Sequence, residues 1–173
     1  MAGNPSDFSW IEGWEETDRD ATHGDRREAE RLMAYWDRKI AVLGSEATIA
    51  ALDLDQISSR DWSNRFLISV DPVIERSALI VYGPKFARLL SLPEQARPEL
   101  PLLRQLPQRY GEVFMQGCAQ AQRELIPIRL EGKVVRYDSK IEQYRIIFVP
   151  IGIKPNSLTC FAFGAFSYRV DEP

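Results

Sequence analysis

The chain has 173 residues, and few of their side chains are of the types that usually carry out chemistry: one histidine, His23, and two cysteines, Cys118 and Cys160. His23 stands in a polar stretch just ahead of a helix-start signal. The cysteines lie far apart in apolar runs at 114–121 and 158–163. A structural zinc site needs paired sulfur or nitrogen ligands at short spacing, and these three residues do not make that set. A histidine-held haem needs a buried ligand, which a solvated tail does not offer. Free cysteine packs as a small hydrophobe, and that is the expectation here. A disulfide belongs to oxidising compartments, whereas the acidic start of the chain has no basic or apolar leader pattern. Glu124 and Glu131 flank an apolar run, but nothing in their spacing sets them as the facing acids of glycoside chemistry. Solvated charge is the plainer reading. No G-x-S-x-G elbow, phosphate-cradling glycine loop or dinucleotide fingerprint occurs. The expectation is therefore no catalytic residue, no metal and no cofactor.

The whole-chain numbers bound the class. A chain this long fits one domain, and an apolar content of 45% is enough to bury a core. With a net charge of −3 and no Lys/Arg cluster, neither nucleic acid nor an anionic membrane is an expected partner. The longest apolar stretch, 158–168, is too short to span a bilayer. A soluble, cytoplasmic protein is expected.

The elements that would position any site follow from periodicity. Residues 1–24 read as a mobile tail, although Phe8, Trp10, Ile11 and Trp14 form an apolar cluster suited to docking. Asp25 with Glu28 resembles a capping box. Ala29, Leu32, Met33, Trp36, Ile40 and Leu43 then make one apolar stripe, ended by Gly44. The spacing predicts an amphipathic helix over 25–43. A connector at 45–65 holds Leu52, Leu54, Ile57 and Trp62. A β pair follows at 66–71 and 77–82, and Pro84 opens a short helix carrying Phe86, Leu89 and Leu90. Pro93, Pro98, Pro101 and Pro107 forbid a continuous helix and predict a surface loop. Helical spacing returns from 107 to 122 with Tyr110, Val113, Phe114, Gly117, Cys118 and Ala121. Strands are expected at 125–137 (with Gly132 as a bulge or bend), 143–153 and 158–170, joined by short turns at 138–140 and 154–157.

Five strands with a helical middle predict one antiparallel sheet with helices grouped on one face, an α+β domain. The last two strands are apolar in both alternating sets, so both faces of the sheet should be covered. The first helix, from this chain or from a second copy, is the candidate cover.

This order resembles the single-domain PAS-like proteins common in alphaproteobacteria, a divergent branch of the PAS superfamily. The resemblance runs over 29–170. It is carried by Tyr35 and Trp36, the Leu52, Asp53, Leu54 connector, the strand from Phe66 to Asp71, and Tyr82, Gly83, Pro84 with Leu89 and Leu90. The strand from Tyr144 to Pro150 and the run Gly164, Ala165, Phe166, Ser167, Tyr168 complete it. The proline-rich loop and the polar connector Ser58, Ser59, Arg60, Asp61 depart from the pattern. The resemblance implies a PAS-like five-stranded antiparallel sheet, a sensory or regulatory role, and dimerisation through helices outside the sheet. The surroundings of Cys118 do not match the reactive-cysteine motif of a flavin photosensor.

Two sets of residues follow as candidates. A small-molecule pocket between sheet and helices would be lined by Leu79, Val81, Phe86, Leu90, Phe114, Cys118, Phe148 and Phe163; the alternative is that they close-pack as core. An interface with a protein partner or in a homodimer would use Trp10, Trp14, Leu32, Met33, Trp36 and Ile40. The domain division is 1–24 tail and 25–171 domain. A ligand-free adaptor and a small enzyme using the interior are the other function classes.

Overall fold

A computed structural model describes residues 63–152 and 160–171. The tail, the helix expected at 25–43, His23, Trp62, most of the connector, the turn at 154–157 and all six interface candidates (Trp10, Trp14, Leu32, Met33, Trp36, Ile40) lie outside the described residues.

The described chain forms five strands: β1 Arg65–Val70, β2 Ala78–Tyr82, β3 Ile128–Val135, β4 Ile141–Gly152 and β5 Cys160–Asp171. Three helices fall between β2 and β3: α1 Pro84–Leu90, α2 Leu102–Gln105 and α3 Gln108–Glu124. The sheet is antiparallel throughout, in the order β2-β1-β5-β4-β3. The last strand therefore inserts between the first and the fourth. All three helices pack on one face against Phe66, Ile68, Val70, Leu79, Ile128, Ile146, Phe148 and Phe166. This is a PAS-like α+β architecture, assigned on strand order and helix placement.

Local chemistry explains the boundaries. Pro84 opens α1, where its missing N–H costs nothing. α3 ends at Leu125, which takes the left-handed conformation with φ 54° and donates its N–H back to Ala121. The strand expected from 125 consequently begins only at Ile128. The β3–β4 ladder runs unbroken from Ile128 opposite Phe148 to Val135 opposite Ile141, so Gly132 is neither bulge nor bend. Its missing side chain leaves room for the Tyr144 ring lying over it. The bulge is elsewhere: Leu67 faces Val81 while the next residue, Ile68, faces Leu79, leaving Ile80 as the extra residue in β2.

The proline-rich stretch is folded tightly over the β2 edge. The Gln105 side chain accepts from the Leu79 N–H at 2.7 Å and donates to the Leu79 carbonyl at 3.1 Å and the Arg97 carbonyl at 2.7 Å. Leu102 N–H donates to the Ser77 carbonyl, and the Tyr82 hydroxyl to the Pro93 carbonyl at 2.7 Å. A side-chain amide thus takes the place of a sixth strand and blocks an edge that would otherwise invite pairing.

Candidate functional site

The space between sheet and helices is filled by aromatic rings. Phe66 lies 5.2–5.5 Å from the centroids of Phe86, Phe114 and Phe148, and Phe166 lies 5.8 Å from both Phe86 and Phe114. Most of these contacts are edge-to-face or tilted, the arrangement that ring quadrupoles favour. Gly117 brings α3 close to the sheet, for a Cβ there would stand 2.1 Å from the Phe148 ring. Six of the eight pocket candidates, Leu79, Phe86, Leu90, Phe114, Cys118 and Phe148, meet in this one core, each at most 1% exposed. They close-pack against one another.

Val81 and Phe163 do not join them, and both placements correct the sequence reading. The Ile80 bulge reverses the phase of β2, so Leu79 faces the helices and Val81, 44% exposed, faces the other way. Phe163 lies opposite Leu67 on one side and Val149 on the other, in the outward-facing set of its strand.

That outward face is itself apolar over the central strands. Leu67, Ile147, Val149, Ile151, Phe163 and Ala165 are all buried, although every described helix packs on the opposite face. The Arg65 guanidinium sits 5.8 Å over the Phe163 ring. Toward the other end of the strands the same face turns polar. There Arg145 pairs with Glu131 at 3.1 Å, and Arg169, Gln143 and Asp171 bond to one another.

A buried ionic cluster closes the helix-side core at the start of β4. Glu142 is fully buried. Its Oε2 accepts from Arg109 Nε at 3.0 Å and from the Tyr110 hydroxyl at 2.7 Å; its Oε1 accepts from Arg109 Nη2 at 3.1 Å. Arg136 stands 3.8 Å away and is itself held by Asp138 through two bonds of 2.9 and 2.7 Å. Burial first, and then the bond to Glu142, push the Tyr110 hydroxyl far above its ordinary range. The Arg136 bond pulls the Asp138 carboxyl down to about 2. With three hydrogen bonds from Arg109 and Tyr110 in place and its side chain fully buried, Glu142 is not open to a substrate. It ties the first turn of α3 to β4 and positions that helix. Sequence reasoning missed it, although one signal was present: Glu142 shares the inward phase of Tyr144, Ile146 and Phe148.

The cysteines carry a direct expectation. Burial raises the Cys118 thiol well above its usual range, and Cys160 rises for the same leading cause. Only the thiolate reacts rapidly. Alkylation of the native protein with iodoacetamide, mapped by mass spectrometry, is therefore expected to leave Cys118 unmodified until the chain is denatured. Rapid modification in the native state would contradict the packing of α3 on the sheet.

No family model matches the chain, and no curated protein matches it. Among solved structures it is similar to the PAS domain of a Colwellia psychrerythraea protein: TM-score 0.43, 16% identity, over 61% of this chain and 86% of that one. It is also similar to a fungal LOV domain photoreceptor, with a TM-score of 0.38 and 15% identity over 79% of this chain and 90% of the other. A Rhodobacter sphaeroides LOV protein is similar at TM-score 0.38 and 15% identity, over 61% and 60% of the two chains. Among the described residues, no three His, Cys, Asp or Glu side chains are grouped to hold a metal, and no helix is long and apolar enough to cross a membrane.

Proposed function

We propose that the chain is a PAS-like sensory or regulatory module that passes its signal by protein contact at the outer face of its sheet. The observation that carries this reading is the apolar second face of β1, β5 and β4, where Leu67, Phe163, Val149, Ile147 and Ile151 are buried although they lie on the side away from every described helix. An antiparallel sheet with one solvated face alternates apolar and polar residues, and these strands do not. The helix-side interior is close-packed by phenylalanine rings, which favours a protein partner over a small ligand as the signal carrier. The amphipathic segment at 25–43, with Leu32, Met33, Trp36 and Ile40 on one stripe, supplies a cover of matching chemistry from this chain or a second copy. Trp10 and Trp14 add two large apolar side chains to the sequence ahead of that segment.

Light scattering on the full-length protein and on the triple variant Leu32→Glu, Trp36→Glu, Ile40→Glu tests the reading. The wild type is expected to run as a dimer and the variant as a monomer. A wild-type monomer, or a dimer in both, would remove the helix stripe from the signalling surface.

A further inference from the structure

We propose that the proline-rich segment over the β2 edge builds a binding recess for a small monocarboxylate carrying a short aliphatic chain. The recess lies away from the outer sheet face and from the Glu142 cluster, and the inference stands apart from the function proposed above. Its walls are Tyr82, Leu92, Pro93, Arg97, Leu100, Arg104 and Gln105.

The first argument is unspent charge. Arg97 and Arg104 are both exposed and form no ion pair among the described residues, although Glu94 and Glu99 lie within a few residues in the same segment. Two guanidinium groups at one opening attract an anion. Their planar donor forks match a carboxylate in bidentate geometry. Arg97 lines the same recess as Tyr82, and its charge acts against the rise that burial gives the Tyr82 hydroxyl.

The second argument is the floor. Leu92, Leu100, Pro93 and the ring of Tyr82 present carbon, and Leu92 and Leu100 are half-buried. A bare inorganic anion would leave that carbon wet, whereas an aliphatic tail would cover it. The space is about 80 Å³, far below the roughly 300–1,000 Å³ of drug-sized clefts. That room admits a short chain and excludes a nucleotide or a flavin.

The third argument is rigidity. The Gln105 amide bonds, the Tyr82 hydroxyl on the Pro93 carbonyl, and the Leu100 N–H on the Arg97 carbonyl hold the walls before any ligand arrives. Pro93, Pro98 and Pro101 remove further backbone freedom from the same stretch. A preformed recess loses little ordering entropy on binding.

The test is an NMR titration of the full-length protein with isovalerate, with isoamyl alcohol as its uncharged counterpart and inorganic phosphate as the bare anion. Isovalerate is expected to shift the amides of Tyr82 and residues 92–105 saturably, in the millimolar range of small ligands. The alcohol and phosphate are expected to bind at least tenfold more weakly, and R97Q and R104Q each to weaken isovalerate roughly tenfold, the worth of one charged hydrogen bond. Both arginines are exposed, so the variants retain the fold. The proposal is overturned if isovalerate gives no saturable shift in this segment, if the alcohol binds as well as the acid, or if the arginine variants bind like wild type.

Discussion

Gly164→Ala is expected to cost about 3–5 kcal/mol or to prevent folding altogether, the range of the most damaging single substitutions. Gly164 sits in β5 between Phe66 of β1 and Phe148 of β4. A Cβ there would stand 1.9 Å from the Ile147 carbonyl oxygen and 2.4 Å from the tip of the Phe66 ring. The ring can turn aside, but the carbonyl belongs to the ladder that joins β4 to β5. Relieving the clash therefore means spreading the two strands that share the most contact in the sheet. Chemical denaturation followed by circular dichroism measures the effect. The double variant Gly164→Ala, Phe66→Leu separates the causes, for it frees the ring contact and leaves the backbone contact in place. It is expected to remain as unstable as the single variant or worse. Recovery to wild-type stability would show that the ring, and not the strand spacing, makes glycine necessary.

Glu142→Ala is expected to destabilise the domain by about 3–5 kcal/mol, the usual result of removing one partner from a buried ion pair. The Arg109 guanidinium and the Tyr110 hydroxyl would both lose their acceptor, and Tyr110 is fully buried. Tyr110→Phe removes one donor and leaves the Arg109 bonds intact, so about 1–2 kcal/mol is expected. If Glu142→Ala were no worse than Tyr110→Phe, the cluster would not be the tie between α3 and β4. The same site sets the alkaline limit. Tyr110 titrates in the folded state well above its value of 10.0 in a model peptide, chiefly through burial and then through Glu142. The unfolded chain thus releases this proton first. The stabilisation is whole below pH 10 and falls as pH rises beyond it, because the unfolded state then binds fewer protons than the folded one. Tyr82, Tyr144 and Tyr168, also raised by burial, act in the same direction. Denaturation midpoints measured on either side of pH 10 should therefore drop steeply on the alkaline side.

The sequence reading places the five strands, α1 and α3 to within a few residues, and the reason is local; α2, Leu102–Gln105, falls where the prolines predict a surface loop. Runs of β-branched and aromatic residues mark β1, β4 and β5, and helical spacing of Tyr110, Phe114, Cys118 and Ala121 marks α3. Six of the eight pocket residues share the core because that same periodicity points them inward. The two that do not share it expose the limits of counting. Val81 turns outward because of one extra residue, Ile80, and a bulge is a property of a strand pair. Phe163 lies outward because Phe148 pairs with Gly164, a register set across two strands. Glu142 and Arg109 are 33 positions apart, and Gln105 and Leu79 are 26 apart. Nothing in a linear pattern couples residues at such separations.

The sequence by itself determined the class of fold: alternation and turn residues act over a few positions, and they specify five strands, a helical middle and a sheet apolar on both faces. It also determined that reactive side chains are scarce. Tertiary structure alone decided the strand order, with β5 lying between β1 and β4, because strand pairing is settled by the joint burial of distant segments. It decided that the interior is closed by interlocking rings, that one carboxylate is buried and held by three hydrogen bonds, and that a proline-rich loop becomes a rigid wall lined by Arg97 and Arg104. Each depends on packing and hydrogen bonding between residues far apart in the chain, and those energies exist only once the sheet and helices meet.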